Sequence, residues 1–158
     1  MKKIFNLNRF LIAGVLVILV SCQKMKYDQQ FASTYPISGE WTVKYEFPGV
    51  IAADTIVGPY LMYIYNTSFS KDSIWVDDLG YFFFPTLKAA ANTTARTFTT
   101  SNFPGSVVLD GITHDLLFNI TNGKVVKNDS IYMEVQLPGT IYKVYGHRKT
   151  SYEEYMGL

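Results

Sequence analysis

The chain has 158 residues, with 14 Lys+Arg against 13 Asp+Glu and a single cysteine, Cys22. That length suits one domain with a core of its own, and a lone cysteine excludes an internal disulfide or a cysteine-rich metal site. Past residue 21 the basic residues are scattered, with Lys24/Lys26 and Arg148/Lys149 the closest groupings, which excludes the one-sided basic face that nucleic acid requires.

Met1–Arg9 carries Lys2, Lys3 and Arg9 and no acid, and Phe10–Val20 is apolar throughout. A run this short does not make a spanning helix, which needs roughly 20 apolar residues. A basic stretch followed by a short apolar one is the pattern of a secretory signal, expected here over residues 1–21. Leu19-Val20-Ser21-Cys22 resembles the bacterial lipobox. The resemblance implies diacylglyceryl transfer to the Cys22 thiol, cleavage before Cys22, and acylation of the new amino group by a fatty acid of the palmitate class. Two or three such chains hold a protein on a membrane where one does not. The expected location is therefore the cell envelope of a Gram-negative bacterium. Gln23 lacks the aspartate that keeps some lipoproteins at the inner membrane, so by analogy the expected site is the outer membrane. Once the signal is gone, 11 Lys+Arg stand against 13 Asp+Glu.

Residues 22–34 are polar and without period, the composition of a tether, which leaves 35–158 as the folded domain. The 12 Tyr, 11 Phe and 2 Trp favour strands, because aromatic rings fit a pleated, half-buried surface. Gly39–Phe47 alternates, with Trp41, Val43, Tyr45 and Phe47 on one face, although nothing nearby suggests a partner for Phe47. Tyr60–Asn66 is apolar on both faces. Ser73–Val76 stops at Asp77-Asp78-Leu79-Gly80, and Tyr81–Phe84 is a short aromatic run. Thr86–Ala91 is the one stretch with helical composition. Thr94–Thr100 alternates around Phe98, and Val107–Leu109 precedes an Asp110-Gly111 turn. Leu116–Thr121 and Lys124–Lys127 flank Asn122-Gly123, the sequence of a two-residue hairpin. Ser130–Leu137 alternates again, and Thr140–His147 closes the chain. Eight to ten short strands at such spacing predict an all-β antiparallel barrel or sandwich. Lys71-Asp72-Ser73-Ile74-Trp75 echoes Asn128-Asp129-Ser130-Ile131-Tyr132, which two turns leading into strands explain.

Gly39-Glu40-Trp41 resembles the Gly-X-Trp that opens the first strand of lipocalin-like (calycin) barrels. Arg148 stands where those barrels carry a basic residue over the tryptophan, and a guanidinium does stack on an indole. A narrower resemblance runs through Ser38–Trp41, Tyr65-Asn66-Thr67-Ser68, Asp72–Asp78, Thr97-Phe98-Thr99 and Tyr142–Thr150. These segments are similar to a bacterial lipoprotein family labelled "lipid-binding putative hydrolase". Ser151-Tyr152 departs from the small residue and Phe expected there. The resemblance implies an eight-stranded lipocalin-like barrel and an apolar ligand, with Trp41 and Arg148 closing the fold.

Catalytic patterns are sparse. The chain contains no Gly-X-Ser-X-Gly elbow, phosphate loop, zinc pattern or spaced histidine pair, so neither a metal nor another cofactor is expected. His114 and His147 are the imidazoles available. His114-Asp115 reads as a loop pair, since neighbours on a strand face opposite ways, and His147 reads as an exposed residue at a strand end. Asp77-Asp78 reads as a strand stop rather than a calcium pair, because calcium takes six or more oxygens. Glu153-Glu154 reads as a solvated tail. A small barrel is either filled or holds one ligand, and the candidates for lining an apolar pocket are Tyr63, Tyr65, Trp75, Phe98, Phe118 and Met133. The resulting expectation is a membrane-anchored binding protein for a small apolar ligand such as a lipid. The alternative is an envelope module that binds protein or glycan with a packed interior, and a hydrolase comes last. Asp54-Thr55-Ile56, Asp72-Ser73-Ile74 and Asp129-Ser130-Ile131 resemble an O-glycosylation signal of some Gram-negative bacteria. Strand starts produce the same letters.

Overall fold

The computed structural model describes residues 32–47, 56–68, 70–81, 85–109, 111–150 and 152. The signal segment, Cys22, most of the tether and residues 82–84 of the aromatic run lie outside them. The strands are β1 (Gly39–Glu46), β2 (Ile56–Asn66), β3 (Ser73–Asp77), β4 (Leu87–Asn92), β5 (Thr97–Leu109), β6 (Ile112–Val126), β7 (Ser130–Leu137) and β8 (Thr140–Arg148). Each pairs antiparallel with the next, and β8 pairs with β1, so the sheet closes into an eight-stranded barrel. Closure gives every strand two neighbours, while the tips of β5 and β6 run on past β4 and β7 and pair with each other.

Alternation explains the strands whose two faces differ. Trp41, Val43 and Tyr45 of β1 and Ile131, Met133 and Val135 of β7 are buried, with polar residues between them. Two sequence expectations give way. Thr86–Ala91 is not helical: β4 places Leu87, Ala89 and Ala91 inside and Lys88, Ala90 and Asn92 outside. Six residues are too few for a helix to stand alone, whereas β3 and β5 offer ladder partners on both sides.

Asn122-Gly123 makes no hairpin either. It lies inside β6 as a bulge, where the register with β7 shifts between Thr121 and Lys124 and Asn122 takes φ 53°. An asparagine followed by glycine suits a bulge as well as a tight turn. Phe98 settles which forms here. Its ring and carbonyl lie against Gly123, so that a Cβ there would collide with both.

One end of the barrel is sealed. Residues 33–37 form turns, with Ile37 N–H donating to Thr34 O at 2.8 Å, and both Thr34 and Ile37 are fully buried. Arg148 sits beside them with its guanidinium carbon 4.5 Å from the Trp41 ring centre. Its Nη1 donates to Ser38 O at 2.8 Å, and its Nε donates to Asn128 O at 3.0 Å. Gly39, at φ 145°, explains the Gly-X-Trp spacing, because a Cβ there would run into Nη1 of Arg148.

Candidate functional site

The middle of the barrel is filled with side chains. Trp41, Val43, Tyr45, Met62, Ile74, Val76, Leu87, Phe118, Ile120, Met133, Val135 and Val144 are each 0% exposed. A void large enough for a water molecule beside any of them would give it accessible surface. The layer they form is therefore packed like other protein interiors.

At the end opposite Arg148 the burial is incomplete. Phe47 follows β1, Val57 and Tyr60 lie early in β2, Phe103 is at the middle of β5, Leu116 precedes Phe118 on β6, and Leu137 ends β7. All six are partly buried and pack on the core. Phe47 does have a partner, meeting the Tyr142 ring edge-on at 5.2 Å and 89°. Tyr60 stacks on Tyr81 at 5.1 Å and 18°, and its ring centre is 6.0 Å from that of Tyr45. Tyr81 is 51% exposed. The aromatic side chains thus run from the surface at Tyr81 through Tyr60 to the interior at Tyr45. Asp78 is buried beside the Tyr45 phenol, which burial first and that carboxylate second push well above the ordinary tyrosine range. We call this end the mouth.

The structure separates the six residues expected to line a pocket. Phe98, Phe118 and Met133 point inward and are buried. Tyr63, Tyr65 and Trp75 stand on the outer wall, opposite to the placement expected from sequence. Their neighbours Met62, Ile64, Ile74 and Val76 take the interior. Tyr65 pairs with Trp75 across β2 and β3, and Trp75 meets the edge of the Phe103 ring at 6.4 Å. Among the residues at the mouth, Tyr60, Leu116 and Leu137 were legible only as strand letters, and Val57 and Phe103 fell outside every strand expected from sequence, where the structure extends β2 and β5 over them. What distinguishes them is their height in the barrel, which depends on register.

Other chemistry-bearing residues are dispersed. His114 pairs with Val107 near the far tip of β5 and β6, while His147 pairs with Thr42 and Ser130 toward the sealed end. Asp115, one rung from His114, accepts from Ser106 Oγ at 2.6 Å. Asp77 Oδ1 and Asp78 Oδ1 accept from the N–H groups of Leu79 and Gly80 at 2.9 and 3.0 Å, and such side-chain turns stop a strand. Among the described residues no three His, Cys, Asp or Glu gather as metal ligands would.

The family model described as "Lipid-binding putative hydrolase" matches residues 26–153. The chain belongs to this family. The match spans the whole barrel, from before the sealing turns to past Arg148, so the mouth and the sealed end both fall within the family's domain. No curated protein matches the chain.

Proposed function

We propose that this chain is an envelope lipoprotein, held on the membrane by acyl chains on Cys22, whose barrel takes an apolar ligand at its mouth. The ligand class we propose is a single acyl chain or a lipid of similar girth. The observation that carries the reading is the contrast in burial along the barrel. Inward-facing residues in the middle are 0% exposed, whereas Phe47, Val57, Tyr60, Phe103, Leu116 and Leu137 are only partly covered at one end. Apolar side chains left half-wet around one rim gain free energy when a ligand covers them, at about 25 cal/mol per Å². A few polar groups beside them, here the hydroxyls of Tyr60 and Tyr81, would orient the ligand's head. The family's description supports the same class of ligand. The lipobox-like Leu19-Val20-Ser21-Cys22 supports the anchor.

A fluorescent fatty acid titrated into the chain lacking residues 1–22 tests the site. The expected result is one-site saturation that Leu116→Trp weakens, since indole volume would occupy the mouth. Saturation indifferent to Leu116→Trp and Tyr60→Trp would move the site elsewhere. The anchor is tested separately by labelling cells with an alkynyl palmitate: the intact chain should take the label and Cys22→Ala should not.

A further inference from the structure

Strands facing water usually stay soluble by carrying lysine and glutamate. The outer wall of β5, β6 and β7 carries Lys124 and Glu134, but around Asn119 and Gln136 it is mainly neutral hydroxyls and amides. Thr99, Ser101, Asn119, Thr121, Asn122 and Gln136 line one shallow groove across it. A second groove, lined by Glu134, Thr140, Ile141 and Lys143, meets the first at Gln136. The register produces this surface. Asn119 stands opposite Gln136 and Gln136 opposite Ile141, and one rung away Thr121, Glu134, Lys143 and Glu46 form a row across four strands.

These side chains are held in place by one another. The Glu134 carboxylate accepts from Tyr132 OH at 2.8 Å, Asn122 Nδ2 at 2.9 Å and Thr121 Oγ1 at 3.2 Å. Gln136 Nε2 donates to Thr121 Oγ1 at 3.3 Å, and Asn119 Oδ1 accepts from the Asn102 N–H at 2.8 Å. A site already ordered loses less entropy when a ligand arrives. Hydroxyls and amides each carry several donors and acceptors, so the groups in this network keep hydrogen-bonding capacity beyond the bonds just named.

The chemistry of the wall selects among ligand classes. Of the lysines nearby, Lys143 already bonds Glu46 at 2.7 Å and Lys124 lies 5.3 Å over the Tyr132 ring, while the Glu134 carboxylate at the centre repels anions, which disfavours a polyanion. A polar lining disfavours a purely apolar ligand. A sugar ring presents both adjacent hydroxyls and an apolar C–H face, and the wall offers amides and a carboxylate beside Ile141, which is 44% exposed.

We propose that this wall is a binding site for a neutral oligosaccharide, with Asn119, Gln136 and Glu134 bonding sugar hydroxyls and Ile141 packing on a C–H face. The site lies on the outer wall and borders the mouth at Leu137, which also lines the second groove. The test uses the full chain in lipid nanodiscs, titrated calorimetrically with maltohexaose, cellohexaose and chitohexaose. Saturable binding of at least one hexasaccharide is expected. Asn119→Ala and Gln136→Ala should each weaken it about tenfold, the loss of one or two hydrogen bonds, while Tyr60→Ala at the mouth leaves it unchanged. If either alanine variant melts early, Thr99→Trp serves in its place, because bulk on the exposed groove must block binding without touching the core. Failure of all three sugars to saturate at millimolar concentration overturns the proposal. Binding that the wall variants leave intact overturns it as well.

Discussion

The two ends of the barrel are built from similar letters and behave differently. At the sealed end an aromatic ring, Trp41, is covered by the Arg148 guanidinium, and the turn bearing Ile37 packs beside it. At the mouth Phe47 meets Tyr142 and Tyr60 stacks on the exposed Tyr81, and the residues around them stay partly wet. The difference lies in what the chain supplies beyond the strands. Residues 32–38 and the strand end at Arg148 bring a plug and a fork of donors to one end. The fold hides its apolar residues at one end and leaves them half-covered at the other.

The largest effect should come from breaking the sealed end. Trp41→Ala should lose about 3–5 kcal/mol in urea unfolding, the usual range for a fully buried large aromatic. Arg148→Ala should lose less, about 1–2 kcal/mol for its stacking and hydrogen bonds. The double variant should lose less than the two single losses added together, because the side chains touch. Additive losses would separate the pair and undo the account of closure.

A smaller loss is expected where the wall bends. Gly123→Ala should cost about 1–3 kcal/mol, as for other overpacked sites, since its Cβ meets the Phe98 carbonyl and ring. A neutral result would mean that the bulge at Asn122-Gly123 does not need the ring so close. At the mouth Leu116→Ala should cost about 1 kcal/mol or less, because a half-covered side chain has less burial to lose. It should weaken fatty-acid binding more than it lowers the melting temperature of the free protein, and the reverse order would make Leu116 an ordinary core residue.

The smallest effect concerns pH. Hydrogen bonds from Tyr132 and then Asn122 hold the Glu134 carboxyl below its ordinary value. A depressed acid contributes stability above its unfolded value of 4.5 and loses it as pH falls through the lower folded value. Glu134→Gln should therefore flatten the fall in melting temperature below pH 4.5 and leave its shape at pH 7 unchanged. An identical acid slope in both proteins would remove Glu134 from that network's energetics.

Much of the barrel was legible because several strands have unlike faces. β1 and β7 alternate apolar with more polar residues, so Trp41, Val43 and Tyr45 were grouped on one face and Met133 was expected inside, and all four are buried. β2 is apolar on both faces, and alternation alone does not say which set turns inward. Register decides it: Met62 opposite Trp41 and Ile64 opposite Gly39 go inside, and Tyr63 and Tyr65 go out. Asn122-Gly123 was misread because local chemistry permits both a hairpin and a bulge, and the deciding contact comes from Phe98 on another strand. The mouth was illegible for a similar reason. Its residues look like the core ones in the sequence, and only their distance from the plug sets them apart.

The division of the barrel into a sealed end and a binding mouth is tested most directly by a fatty acid carrying a nitroxide near its head group. Bound to isotopically labelled protein, it should broaden the NMR signals of Tyr60, Tyr81, Leu116 and Leu137 most. Ile37, Trp41 and Arg148, at the other end, should keep their intensity. Broadening centred on Ile37 and Trp41, or spread evenly over the outer wall, would contradict the account.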